Sequence, residues 1–140
     1  MKWEDEHDAP ATIRPRCNHA PFFSFSVVGR IVPAVRMTQA SKYRDKAAQE
    51  SLAYREQIGW AARIAGAEIV EGPVAISVLA FAYERRWDAS NVLKIAEDAL
   101  NGICYADDKQ VSDARIRVFD LDRDTGDVLT VQVKRCERRS

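Results

Sequence analysis

Residues 72–111 read GPVAISVLAFAYERRWDASNVLKIAEDALNGICYADDKQV, and the fold turns on how this stretch divides. After Pro73 comes a near-continuous apolar run with β-branched members. Such a run suits a central strand, 73–83, buried on both faces. It stops at Glu84, Arg85 and Arg86. From Ser90 to Asn101 the period changes. Val92, Ala96, Ala99, Leu100 and Ile103 fall on one stripe, which predicts a short helix. Ser90 or Asn91 suits its start, and Gly102 its end. Lys94, Glu97, Asp98 and Asn101 lie on the other face. After the turn ADDK a new strand opens at Val111.

Upstream, PFFSFSVVGRIV alternates and is rich in aromatic and β-branched residues, so it predicts a strand over 22–32. Asp45 to Ala67 has a helical period, with Ala47, Tyr54, Ile58, Ala61 and Ala65 along one stripe and Gly66 as the stop. Downstream, strands are expected over 111–119 and 126–136. The turn DRDTGD between them predicts an antiparallel hairpin. The order is β-α-β-α-β-β. It defines an α/β (α+β) single domain, a mixed sheet of about four strands with flanking helices. Residues 1–20 are polar, with two prolines and no period. They read as a flexible N-terminal arm, and residues 21–140 as the folded domain.

A chain of 140 residues suffices for one buried core. No apolar run approaches the roughly 18 residues of a membrane span. The N-terminus has acids where a signal peptide has bases. A cytoplasmic protein without membrane contact is therefore expected. Cys17, Cys104 and Cys136 make neither a disulfide framework nor a CxxC pattern and read as free thiols. Cys17, His19 and His7 are too loose a set for zinc.

The formal net charge is zero, without the overall basic excess of a general nucleic-acid binder. Residues 14–66 nonetheless hold nine Lys or Arg against three Asp or Glu, so a neutral total can hide a basic face opposite an acidic site. Arg36, Lys42, Arg44 and Lys46 are interleaved with Thr38, Gln39, Ser41 and Tyr43, side chains of the kind that contact phosphate and stack on bases. A solvated surface is the plainer reading of the same run.

The acids of the opening stretch admit two readings. Asp88 sits between a strand and a helix, where functional side chains of α/β domains collect. Asp107 and Asp108 follow the same helix. Carboxylates from separated segments suit a hard cation such as Mg²⁺. Lys94 suits developing negative charge, and Arg85 and Arg86 suit a polyanion. The helix ends lie about 17 Å apart at 1.5 Å per residue. Asp88 and Asp108 therefore meet only if the strand from Val111 begins near where the strand 73–83 stops, an antiparallel placement. On the plainer reading Asp88 is an acid favoured by the helix dipole. Asp107 and Asp108 are then turn residues, and Glu97 and Asp98 are surface partners of Lys94.

The same residues resemble the signature of the RusA-type Holliday junction resolvases (crossover junction endodeoxyribonucleases), small phage- and prophage-borne enzymes. That family's pattern is D-x-D-N-x-x-K, then D-A-L-N-G, then D-D-x-Q-V/I. It is matched by Asp88, Asn91 and Lys94, by Asp98 to Gly102, and by Asp107, Asp108, Gln110 and Val111. The resemblance implies a homodimer that binds four-way or branched DNA junctions in recombination and repair. It implies symmetric cutting of two strands with Mg²⁺, or alternatively Mn²⁺, in the cytoplasm of a bacterial host or from a phage. It assigns metal ligation to Asp88 and Asp108 and chemistry to Asp88, Lys94 and Asp108. Arg36, Lys42, Arg44, Lys46, Arg85 and Arg86 are the expected DNA-binding residues. One position departs: the second aspartate of D-x-D-N is Ser90 here. Glu97 or Asp98 is the expected replacement in the metal shell. The alternative is a junction- or DNA-binding module whose metal site Ser90 has disabled. A protein-interaction domain without a nucleic-acid role is the third reading.

Overall fold

The computed structural model describes residues 23–36 and 45–136. The elements follow the expected order: β1 (Phe23–Val28), α1 (Lys46–Ile64), β2 (Val74–Tyr83), α2 (Ala89–Leu100), a 3₁₀ turn (Asp108–Gln110), β3 (Val111–Leu121) and β4 (Val128–Arg135). They form one mixed four-stranded sheet in the spatial order β1-β4-β2-β3, with β1–β4 and β4–β2 antiparallel and β2–β3 parallel. The fold is α+β. The expected hairpin is absent: β2 lies between β3 and β4. The turn at 122–127 therefore crosses over β2. Asp127 steadies that crossing, accepting from the Tyr83 N–H with its carboxylate and from the Gly29 N–H with its carbonyl.

β2 is central, as its composition requires. Its burial alternates, however, so the expectation of two buried faces is corrected. Val74, Ile76, Val78, Ala80 and Ala82 are buried, while Ser77, Leu79, Phe81 and Tyr83 are half-exposed. Both helices pack on the first face, α1 over β1 and α2 over β3 and β2. Ile58, Tyr54, Val92, Ile95 and Leu100 meet Val131, Val133 and Leu129 there. Each fully buried aliphatic side chain contributes about 1.5–3 kcal/mol. The stripe on α1 is Ala48, Ser51, Tyr54, Ile58, Gly59 and Ala62, so Tyr54 and Ile58 fall as expected and Ala61 packs at the core's margin, while Ala47 and Ala65 are exposed. With so many alanines and one tryptophan, hydrophobicity alone does not fix that helix's rotation.

The two helices run parallel. Near their starts, the Ala34 N–H donates to the Asn91 carbonyl and the Ser51 hydroxyl to the Pro33 carbonyl, so the loop after β1 links them. Near their ends, Gly59 sets the approach: a Cβ there would lie 3.1 Å from Ile103 Cδ1 and 3.7 Å from the Ala99 carbonyl. Both helix N-termini, the positive ends of their dipoles, thus point to one end of the domain.

Cys104 is a buried free thiol, its pKa pushed up to about 12 by burial. The free-thiol reading fails for Cys136, which is disulfide-bonded. Cys17, His7 and His19, with the expected arm, lie outside the described residues. No helix among the described residues is long and apolar enough to cross a membrane.

Candidate active site

Asp88 is the N-cap residue of α2, in place of Ser90 or Asn91, with an extended backbone. Its carbonyl accepts from Asn91 and Val92, but its side chain makes no capping hydrogen bond. An N-cap aspartate ordinarily gains about 1 kcal/mol through that bond. Here the carboxylate is left exposed. The approach from β2 is braced. Arg85 is bound to Asp120 at 3.0 Å, donates to the Trp87 carbonyl and stacks over the Trp87 ring. Glu84 adopts a positive φ of 50° at the bend. Arg85 is therefore engaged, while Arg86 is exposed. Arg36 is exposed two residues beyond Ala34, beside the start of α2, and Lys46 opens α1 at the same end. Lys42 and Arg44 lie outside the described residues. Arg36, Lys46, Arg85 and Arg86 thus lie at the end of the domain that holds the two helix N-termini, the positive ends of their dipoles.

The other end of α2 is acidic. Lys94 and Asp98 form an exposed ion pair at 3.8 Å, one turn apart. Glu97 lies beside them, half-buried. Burial raises its pKa first, then the charges of Asp98 and Asp108, with Lys94 opposing. Asp108 is thus within electrostatic reach of Glu97. Tyr105, fully buried, donates its hydroxyl to the Glu97 carbonyl, satisfying one of the carbonyls a helix end leaves over. Desolvation followed by the charge of Glu97 holds that phenol protonated, well above its ordinary range.

The pair Asp107–Asp108 divides its labour. Asp107 caps the 3₁₀ turn, accepting from the Lys109 N–H at 2.9 Å. That bond holds its carboxyl below the usual range. Gln110 completes the box. Its Oε1 accepts from the Ala106 and Asp107 N–H groups, and its Nε2 donates to the Val70 and Gly72 carbonyls. Asp108 takes no part in the box and is exposed. In the sequence Gln110 is only one letter of the motif. A lone glutamine just before a strand carries no signal of the four backbone groups it joins.

Asp88 and Asp108 do not converge within the chain. β3 runs parallel to β2, with Val74 opposite Val111, so it begins where β2 begins, not where it stops. The antiparallel placement that their meeting requires is ruled out by the α2 crossover, because a helix packed back along a sheet returns the chain to the starting end. Asp88 is at one end of α2 and the Glu97–Asp98–Asp108 group at the other. Ser90 and Glu97 share the Lys94 side of the helix, about 10 Å apart along its axis at 1.5 Å per residue. Glu97 therefore does not fill the place of the missing aspartate in its own chain. The donors fit a hard divalent cation in kind, being carboxylate oxygens. In number they fall short, since no three candidate ligands come together among the described residues.

The model of the endodeoxyribonuclease RusA family matches residues 26–134, and the chain belongs to that family. It is an endodeoxyribonuclease of the Holliday junction resolvase kind, from a family that acts on branched DNA with divalent metal ions. No curated protein matches the chain.

Proposed function

We propose that the chain is a Mg²⁺-dependent, homodimeric resolvase of four-way DNA junctions, with each active site shared between two subunits. The observation that carries this reading is the division of duties in the motif. Asp107 and Gln110 build the turn, whereas Asp88 and Asp108 expose carboxylates spared from capping. Two such carboxylates at opposite ends of one helix serve a single ion only if a second copy supplies one of them. Asp108, Glu97 and Asp98 of one subunit would then hold the ion with the partner subunit's Asp88. Ser90 is tolerated because the partner subunit's Glu97 brings the charge it lacks.

A bound divalent ion supplies Lewis-acid neutralisation of the scissile phosphodiester. The chain's own groups do the rest. Arg36, Lys46 and Arg86 hold the DNA backbone beside two helix N-termini, and Lys42 and Arg44 extend this basic run in the sequence. Arg85, tied to Asp120, fixes the segment that carries Asp88. Lys94, with only an exposed pair to Asp98, is available to a phosphate oxygen. Two sites per dimer provide the two symmetric cuts.

The test is cleavage of a synthetic four-way junction by wild type, Asp88→Asn, Asp108→Asn and Glu97→Gln, with Mg²⁺, Mn²⁺ or EDTA. Ion-dependent paired nicking that each variant loses supports the reading. Junction binding without nicking by the wild type would instead assign the chain to the DNA-binding module disabled at Ser90.

A further inference from the structure

We propose that the chain's own residues 1–20 return across the open face of the sheet and are latched there by a disulfide between Cys17 and Cys136, so that reduction releases them.

Three cysteines define the latch: Cys17, Cys104 and Cys136. Cys136 is disulfide-bonded and Cys104 is free. Within one chain, Cys17 alone is left as the partner. The topology puts it within reach. β1 runs antiparallel to β4 with Phe23 opposite Val133, so the chain enters the sheet where β4 leaves it. Cys136 lies three residues past Val133, about 10 Å along the strand, and one strand over, about 5 Å. Cys17 precedes Phe23 by six residues, which span at most about 20 Å. That segment can therefore bring the two cysteines to disulfide distance without moving β1.

The face is marked as well. Both helices pack on one side of the sheet. The register sets Ser77, Leu79 and Phe81 of β2 on the other side, beside Arg115, Arg117 and Phe119 of β3. Lys134 of β4 stands there opposite Ala75, and by alternation Cys136 follows on the same side. No helix among the described residues covers this side, yet Ala75 and Cys136 are only 7% and 3% exposed. Its charge favours an acidic occupant. Arg115, Arg117 and Lys134 outweigh Asp113, while residues 1–8 carry Glu4, Asp5, Glu6 and Asp8 against Lys2. Arg115 and Arg117 each hold a partner beyond Asp113 and the Phe119 ring. Phe23, Arg135 and Cys136, where the chain enters the sheet, also hold further partners. Four strands are about 15 Å across, and the sixteen residues ahead of Cys17 cross that width without being extended.

Closing the latch joins the two sulfurs. The two thiols give up two protons and two electrons to a small-molecule disulfide, which leaves as two thiols. Opening is the reverse, with a small thiol as reductant. The closed arm occupies Arg115 and Arg117. The open one frees them beside the stacked rings of Phe81 and Phe119, 4.8 Å apart.

Peptide mapping without reduction tests the latch. The full chain treated with oxidised glutathione should yield a linked peptide holding Cys17 and Cys136, from a species of single-chain mass under denaturing conditions. A Cys136 that iodoacetamide alkylates in that oxidised chain in urea, or that is bonded to a second chain, overturns it. A glutamyl endopeptidase tests the arm, because cleavage after Glu4 and Glu6 follows the population of released arm. Dithiothreitol should speed this cleavage at least about tenfold, to the rate of the Cys17→Ser variant. Arg115→Glu combined with Arg117→Glu should speed it in the oxidised protein, with the Cys17–Cys136 bond still formed. Cleavage equally fast in the oxidised and reduced chain overturns the docking. Cleavage slowed by oxidation but unmoved by the arginine exchange overturns the path across β3.

Discussion

Mixing two inactive variants should restore activity if the site is shared. In one chain Asp88 and Glu97 are nine residues apart on α2, about 14 Å along the axis. Asp108 lies beyond Glu97, at the start of a strand parallel to β2. Two ligands of one Mg²⁺ stand within about 5 Å of each other. No side-chain rotation closes that gap, so on the shared-site proposal Asp88→Asn and Asp108→Asn disable different halves of a composite site. Each alone should lower junction cleavage at least about a hundredfold, since an ion-dependent step loses several kcal/mol of stabilisation. In a mixed dimer one site receives both substitutions and the other receives neither. Random association makes about half of the dimers mixed, leaving about one site in four intact. Co-expression of the two variants under different tags, followed by purification on both, isolates the mixed species. On a labelled four-way junction it should nick at about half the wild-type rate. It should also give single rather than paired cuts, because its second site is doubly disabled. Nicking that stays at the level of the separate variants would refute the reasoning, since it would require each site to be built within one chain.

Other expectations follow from individual contacts. Gln110→Ala removes bonds to four backbone groups and should cost about 1–3 kcal/mol in urea unfolding. It should also lower cleavage by loosening Asp108, whereas Lys109→Ala should leave stability within about 0.5 kcal/mol. Glu97→Gln should raise the melting temperature of the ion-free protein at neutral pH while impairing cleavage. The folded-state pKa of Glu97 is raised. Its charge therefore destabilises the fold above that pKa, and the wild type recovers this stability as the pH falls through it. The substitution's advantage should shrink over the same interval. Cys104, buried and with its pKa pushed up to about 12, should resist iodoacetamide in the native protein and react in urea, read by mass spectrometry. Gly59→Ala should be nearly neutral, because the 3.1 Å neighbour is the movable end of Ile103 and alanine favours helix by about 1 kcal/mol. Gly59→Val, which crowds the Ala99 backbone, should destabilise by about 1–3 kcal/mol.

The elements were legible because each carries its own local signal. The run 74–83 is too apolar for an edge, and the stripe of Val92, Ala96, Ala99 and Leu100 has one good rotation. Strand order was not legible, because DRDTGD has the composition of a hairpin turn although its flanking strands are separated by β2. Turn composition reports that the chain reverses, not which neighbour the next strand joins. The motif was legible as a set of residues, but where the fold would put them was not. Motif spacing in a sequence is one-dimensional, and it tempts one to fold Asp88 and Asp108 together within the chain. The parallel register forbids this, and the same register leaves the two halves of the motif at the basic and acidic ends of one domain. A motif whose ends cannot meet in its own chain, yet matches its family across residues 26–134, is what a two-fold assembly requires. On the shared-site proposal, selection acts on one sequence that supplies complementary halves to two identical sites. On this view Ser90 and Glu97 cease to be a defect and its distant remedy. They lie about 10 Å apart on one helix, and on the shared-site proposal each serves a different site.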